Sequence, residues 1–368
     1  MKIKKLNIKT KSQNYNIIIG SNLISEIFQI IKNDSIKFHK CLIIFDKNIP
    51  KKIIDKIKYS FREKKLYIHF ISANEKNKNY KTANIILNIL LKNNFSRSDC
   101  LISVGGGITG DIVGFTASLF KRGIQFINVP TTLLAQVDSS IGGKTGINTV
   151  YGKNLIGTFF QPKLVISDSI FLNSLPRREI ICGYGEILKH SLISSKKFFN
   201  FLNKNILRIL NLKSPFLEKA IYESCKIKKL VVEKDENEKS VRKILNFGHT
   251  FAHAYEASLG YSKRLNHGEA VILGILTAAN FSYKNKLLKK NEYQLIRDHI
   301  NNSRLPSSLS KFFKIKNINN ILSYMMKDKK NNSIKINLVL LKKIGLPIFD
   351  KQYSRKNIGF FLKSYLRN

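Results

Sequence analysis

At 368 residues, 43% of them apolar, the chain has the length for about two domains and the material for a sizeable core, which excludes disorder as its dominant state. Its 64 Lys and Arg against 24 Asp and Glu give a formal charge of +40 and raise nucleic acid as a partner. The excess, however, is spread along the chain as Lys beside abundant Asn and Ile, as A- and T-rich codons would produce, and the longest basic runs, Lys226–Lys229 and Lys327–Lys330, are short and lack interleaved aromatics. Neither a specific nucleic-acid partner nor a membrane is therefore expected: the most apolar window, Cys100–Phe120, is broken by Asp111 and five glycines.

Short β-branched runs alternate with amphipathic ones in the first half. They predict strands at Ile3–Ile8, Asn16–Ile19, Lys40–Phe45 and Leu66–Ile71, and helices at Leu23–Ile31, Lys51–Lys64 and Thr82–Lys92. Cys100–Val104 and Gln125–Val129 read as two further strands flanking a helix over Thr109–Phe120. This alternation predicts a parallel sheet. After Leu175-Pro176 the strand signal fades, and helices are expected over Phe198–Leu210, Leu217–Lys234, Thr250–Leu259 and Glu269–Tyr283. The expected architecture is a variant Rossmann-like α/β domain over residues 1–177 followed by an all-α domain over 178–368.

The strand Cys100–Val104 runs into Gly105-Gly-Gly-Ile-Thr-Gly-Asp111, a G-x-G-x-x-G pattern at Gly105, Gly107 and Gly110. Glycines let backbone N–H groups approach a pyrophosphate, and the following helix N-terminus adds partial positive charge. A tight structural turn is the plain alternative. No acid follows within Ile112–Val137, where the standard dinucleotide fold wants one for the ribose, but Asp46 closes an earlier strand and is placed for that task in a variant sheet. Downstream, Pro130-Thr-Thr132 ends a strand, and Lys144 and Lys153 stand among glycines in what read as anion-binding loops.

Three of the seven histidines fall between His249 and His267. His249 and His253 are four apart, on one helical face, and His267-Gly-Glu269 opens the next helix. Such a pair wants a third ligand and an acid to form a catalytic zinc site; Glu186 is the first candidate, with Glu256 and Glu269 behind it. The four cysteines are isolated, with no C-x-x-C spacing, and the basic start Met1–Lys11 leads into no apolar segment of the signal-peptide type. A reducing cytoplasm fits.

Gly105-Gly-Gly with Gly110-Asp111, Val129-Pro-Thr-Thr-Leu-Leu-Ala-Gln-Val-Asp-Ser-Ser140, Gly142-Gly-Lys-Thr145, Gly152-Lys-Asn154, Leu175-Pro-Arg-Arg-Glu179, Leu245-Asn-Phe-Gly-His-Thr-Phe251 and His267-Gly-Glu-Ala270 together resemble the 3-dehydroquinate synthase family over nearly the whole chain. The resemblance implies a homodimer with an NAD-binding domain, a metal-binding helical domain and an active site between them. It also implies conversion of 3-deoxy-D-arabino-heptulosonate 7-phosphate to 3-dehydroquinate and phosphate by transient NAD oxidation, β-elimination, reduction, ring opening and aldol closure. Zinc or cobalt ligands carry over to Glu186, His249 and His267, leaving His253 a substrate-side role. NAD contacts carry over to Asp46, Glu75, Lys78, Gly107, Gly110, Asp111, Thr131, Thr132, Lys144, Lys153, Phe171, Leu172, Asn173, Ser174 and Glu179. Substrate contacts carry over to Asp138, Lys144, Asn154, Lys189, Lys228, Arg242, Asn246, His253 and Lys329 or Lys330.

One segment departs from the family. Ser72-Ala-Asn-Glu-Lys-Asn-Lys78 stands where Pro-Asp-Gly-Glu-x-x-Lys is common, so an acid is replaced by Ala73 at the edge of the implied cofactor site. Other sugar-phosphate cyclases and metal-dependent polyol dehydrogenases are the nearest alternatives. A basic nucleic-acid-binding protein is the non-enzymatic one. The cations at Lys144, Lys153 and Arg242 argue against a small neutral alcohol as substrate, because such a molecule needs no anion clamp.

Overall fold

The computed structural model describes residues 3–327 and 335–367, in two compact units: 1–176 with 221–237, and 177–220 with 238–368. In chain order the first unit holds β1 (Lys4–Lys9), β2 (Asn14–Gly20), α1 (Ile27–Asn33), β3 (Lys40–Asp46), α2 (Lys51–Ser60), β4 (Lys65–Ile71), α3 (Tyr80–Lys92), β5 (Cys100–Gly105), α4 (Gly107–Leu119), β6 (Gln125–Pro130), β7 (Lys144–Thr149), β8 (Gly152–Phe159) and β9 (Leu164–Asp168). Seven strands form one sheet in the order β1-β2-β9-β6-β5-β3-β4, parallel except for the β1–β2 pair.

The apolar runs are continuous because both faces of the sheet are covered. Cys41, Ile43 and Phe45 pack on one side with Ile27, Ile31 and Ile57, whereas Leu42 and Ile44 join Ile86, Leu90 and Val113 on the other. From β3 the chain steps outward to β4 and then returns to lay β5 on the other flank of β3. This reversal opens a crevice at the carboxyl ends of β3 and β5, the place where open α/β sheets take their ligands. Phe45 pairs with Val104, so Asp46 and Gly105 are the residues at its two lips.

The glycine-rich segments Asp138–Lys144 and Gly152–Gly157 are read as loops, but Lys144 opens β7 and Gly152–Gly157 lies in β8 of the antiparallel hairpin β7–β8, so Lys144 and Lys153 are strand residues. The segment 221–237, expected in the helical half, belongs to the first unit. Its anchors there are Glu233, which accepts from Lys9 N–H at 2.7 Å, and Glu236, which accepts from Gln161 Nε2 at 2.8 Å.

The second unit begins with α5 (Arg177–Ser194) and α6 (Lys196–Leu210). α7 (Phe216–Lys234) straddles the division between the units, and α8 (His249–Ser258), α9 (His267–Lys284), α10 (Lys290–Asn302), α11 (Ile318–Lys327), β10 (Lys335–Lys343), β11 (Leu346–Ser354) and α12 (Arg355–Arg367) complete it. The unit is helical but not all-α, because β10 and β11 pair as an antiparallel hairpin. α5 and α9 are buried along most of their length, as expected of helices at the centre of a bundle. Among the described residues no helix is long and apolar enough to cross a membrane.

A buried polar chain crosses this unit. Tyr184 Oη on α5 lies 2.9 Å from His299 Nε2 on α10, and His299 Nδ1 lies 2.9 Å from Asn203 Oδ1 on α6. A neutral ring satisfies both, accepting from the phenol and donating to the amide oxygen. Burial pushes the His299 pKa down from 6.5 to about 4. The unfolded chain therefore binds the extra proton first as pH falls, so this contribution to stability is complete above pH 6.5 and is lost on descending toward pH 4. Between pH 7 and pH 5 the parent should lose about 2 kcal/mol more than His299→Gln in urea unfolding. Equal losses in the two chains would refute the assignment.

Candidate functional site

In the first unit the glycine turn is sterically dictated. A Cβ on Gly105 would stand 2.5 Å from Thr109 Cβ, which no rotamer change moves aside, so the strand turns directly into α4 only with hydrogen there; one on Gly107 would stand 2.8 Å from Ser139 Oγ, so that hydroxyl would have to turn away. Gly106, the residue before the helix, supplies no side-chain cap, which leaves the first N–H groups of α4 to an outside acceptor. Thr131 lies beside this turn, its N–H donating to Gly105 O at 2.9 Å, and Thr132 Oγ1 accepts from Ala135 N–H at 3.2 Å. At the other lip, Asp46 accepts from Asn48 N–H at 3.1 Å; burial raises its carboxyl above the ordinary value, with that bond and others opposing.

The 72–79 loop and the β7–β8 hairpin converge on the same helix. The buried Lys78 is ion-paired with Asp111 on α4, and its Nζ also donates to Asn154 Oδ1. Burial raises the Asp111 carboxyl, and the Lys78 ammonium works against the rise. Lys153 pairs with Glu75 at 3.0 Å. Burial would raise Glu75 as well, but bonds from Asn148 and Lys153 hold it below its usual range. Asn154 adopts a left-handed backbone with φ 55°.

Asn148 was absent from the sequence-based candidates, yet it joins these parts. Its N–H donates to Lys78 O at 2.7 Å, its Nδ2 to Glu75 Oε2 at 2.7 Å, and its Oδ1 accepts from Asn154 N–H at 3.0 Å. A neutral amide in an Asn-rich chain carries no local signal of such a role.

The other candidates of this unit are more dispersed. Lys144 is exposed at the start of β7, opposite Phe159. Asp138 pairs with Lys228 at 2.7 Å, a contact that α7 brings into the unit. Phe171 and Leu172 are buried, so a ligand contact there runs through backbone, while Asn173 is exposed and Ser174 Oγ donates to Phe171 O at 2.9 Å. Glu179 stands on α5, in the second unit.

In the second unit three helices bring together Glu186 from α5, His249 from the start of α8 and His267 from the start of α9, with one donor atom of each within 4.8 Å of the others. Glu186 Oε1 lies 3.4 Å from His249 Nε2 and 4.0 Å from His267 Nε2. Donor atoms about 2.1 Å from a tetrahedral zinc stand about 3.4 Å apart, so the set fits such an ion with little adjustment. Neither oxygen of the buried Glu186 completes a hydrogen bond of good geometry, which leaves the carboxylate with lone pairs to offer. Burial would raise this carboxyl, but the Lys189 ammonium ion-paired with it and the His249 ring beside it hold it well below the usual range.

His253 lies one turn along α8 from His249, exposed, with the rings 5.3 Å apart and nearly perpendicular; it is not among the converging donors. Spacing along one helix favours the 249/253 pair, whereas the packing of α8 on α9 supplies His267 instead. Glu256 and Glu269 are occupied elsewhere. Glu256 Oε2 accepts from His267 Nδ1 at 3.0 Å, and Glu269 closes a capping box with Asn266 at the start of α9 while pairing with Arg178. Arg242 is buried and shares a short 3-10 turn with Asn246, whose Nδ2 donates to Glu238 Oε1 at 3.2 Å. Lys329 and Lys330 lie outside the described residues.

Residues 68–182 match the 3-dehydroquinate synthase N-terminal family and residues 183–331 the 3-dehydroquinate synthase C-terminal family. The chain is 61% identical over 366 residues to a 3-dehydroquinate synthase of Pelagibacter ubique, with all of both chains covered, and 39% identical over 364 residues to one of Alkaliphilus metalliredigens, with 99% of each covered. Among solved structures it resembles a 2-deoxy-scyllo-inosose synthase complexed with carbaglucose-6-phosphate, NAD+ and Co2+, at a TM-score of 0.87 and 24% identity, covering 98% of this chain and 100% of that one. At that identity the likeness speaks for the fold.

Proposed function

Because the chain belongs to the 3-dehydroquinate synthase family, we propose that it converts 3-deoxy-D-arabino-heptulosonate 7-phosphate to 3-dehydroquinate and inorganic phosphate. The observation that carries this reading is the convergence of the Glu186, His249 and His267 donor atoms in a chain 61% identical, end to end, to a named member of the family. Zinc or cobalt in that cluster supplies Lewis acidity toward neighbouring hydroxyls, and NAD supplies an acceptor that takes a hydride and gives it back.

The chain's own residues bind, orient and move protons. The open N-terminus of α4, with Gly107, Gly110, Thr131 and Thr132 around it, is suited to a pyrophosphate, and Asp46 to ribose hydroxyls. The ion pairs Lys78–Asp111 and Lys153–Glu75 stiffen the edge where Ala73 replaces an acid. A substrate with a carboxylate and a phosphate calls for cations in fixed positions, and Lys144, Lys189, Lys228 and Arg242 are assigned to it, with Asn154, Asn246 and Asp138 for hydroxyl groups. His253, exposed one turn from His249, is assigned to proton transfer at the substrate.

The same reading makes the protein a cytoplasmic homodimer in the shikimate route to chorismate and the aromatic amino acids. Its four cysteines, all buried and free, are compatible with a reducing compartment. The test is to incubate the purified, zinc-loaded chain with the heptulosonate phosphate and catalytic NAD, and to follow phosphate, product and NADH together. Phosphate and dehydroquinate should appear in equal amounts without net NADH. Steady NADH accumulation would instead mean oxidation of a polyol, and turnover of a different heptulose phosphate alone would mean another cyclase.

A further inference from the structure

We infer that Glu256 is the positioning residue that fixes the ring orientation and tautomer of His267, and so contributes about 10- to 100-fold to divalent-ion affinity. The inference rests on the metal-site reading above. His267 can offer Nε2 to an ion only as a neutral ring protonated at Nδ1, and Glu256 Oε2 stands 3.0 Å from that nitrogen, where a carboxylate can only accept.

The two histidines of the cluster differ in how they are held. His249 Nδ1 faces Phe247 O at 3.4 Å, a long contact to a neutral acceptor from its own chain neighbourhood. His249 is also the better enclosed ring, 13% exposed against 35% for His267. His267, first residue of α9 and with more room to turn, is the ring given a charged partner, from the last turn of a different helix. Charge-assisted bonds of this kind are about twice as strong as neutral ones.

The identity of the acid's partner matters in this composition. With 64 Lys and Arg to 24 acids, an acid is readily taken by a lysine, yet among the described residues no Lys or Arg lies within 4.0 Å of Glu256. The Glu256 side chain is 12% exposed, so the carboxylate itself is largely withdrawn from water. Glu269 holds the backbone at the same point, through its capping box with Asn266 and its pair with Arg178. Backbone and ring are thus fixed by different acids.

Zinc affinity is to be measured by chelator competition on the full chain, parent and variants, with far-UV circular dichroism reporting the fold of each. Glu256→Ala should bind zinc about 10- to 100-fold more weakly, and Glu256→Gln, which keeps the shape and an acceptor oxygen, less than about 10-fold more weakly. In zinc-loaded chains labelled with 15N-histidine, the His267 Nδ1–H signal should persist in the parent and in Glu256→Gln and vanish in Glu256→Ala. In a His267→Ala background, Glu256→Ala should change affinity less than about twofold, because the group it acts through is gone. Parent-like affinity in Glu256→Ala, or an equal loss in the His267→Ala background, overturns the inference. A parent chain that takes up no zinc overturns the metal reading first, and this inference with it.

Discussion

Glu186→Gln should abolish zinc binding and, in the metal-free chain, lower stability by about 3–5 kcal/mol, most of which returns when Lys189→Met is added. The expectation follows from burial on both sides of the pair: the Glu186 side chain is 1% exposed and that of Lys189 2%. Removing one charge leaves the other in a low-dielectric interior without compensation, which is far more unfavourable than removing both. The double variant separates two roles that a single substitution confounds. It recovers urea resistance but not zinc, since the lost carboxylate oxygen is the donor 3.4 Å from His249 and 4.0 Å from His267. With the Lewis acid gone, turnover should fall by about three orders of magnitude or more in both variants. A single variant as stable as the parent would show that the pair is not buried and charged as described, and retained zinc would remove Glu186 from the site.

The readable parts of this site were those whose geometry is local. Cys100–Leu119 is a strand, a glycine turn and a helix in direct succession, and the structure bears out that reading, with Gly105 required by its contact with Thr109 Cβ. The β7–β8 hairpin was missed for the opposite reason. β8 is exposed or half-exposed at every position, so it has no buried face to impose a period-two pattern. β10 was hidden differently: its apolar run stands alone among Lys and Asn, and its partner strand β11 carries mostly exposed side chains. α5 carries Gly183 and Gly185, which lower helix propensity. At Gly185 the reason is tertiary, because a Cβ there would meet Gly268 O at 3.1 Å.

The convergence of His267 on the cluster was legible only through family resemblance. His249 and His253 announce themselves by spacing along one helix, whereas the approach of His267 depends on α9 nesting against its neighbours. Glycine is what permits that approach: Gly274 on α9 meets Gly248 O, where a Cβ would stand 2.3 Å away, and Gly268 meets Cys182 on α5. These contacts pair residues dozens of positions apart, and no periodicity in the chain encodes them.

Gly268→Ala should therefore be the most damaging single-methyl change in the second unit. Its Cβ would lie 2.1 Å from Cys182 Cα, 2.6 Å from Cys182 O and 2.7 Å from Cys182 C, all backbone atoms that no rotamer change can move aside. Restoring an ordinary carbon–carbon separation of about 3.5–4.0 Å requires α5 and α9 to part by roughly 1.5 Å at this point. Gly268 follows His267 directly, and Cys182 precedes Glu186 by one helical turn, so the shift is delivered to two of the three residues proposed to hold the metal. Destabilisation of about 3 kcal/mol or more is expected in urea unfolding, together with at least a tenfold loss of zinc affinity, because the donor atoms lose their common distance from the ion. Gly359→Ala on α12 is the matched control. Its Cβ would meet a flexible side-chain atom, Leu322 Cδ1, at 3.2 Å, and the gain in helix propensity, up to about 1 kcal/mol, should leave that chain near parental stability with unchanged zinc binding. If the two alanine variants prove equally benign, the close approach of α5 and α9 is not what holds Glu186 and His267 in register.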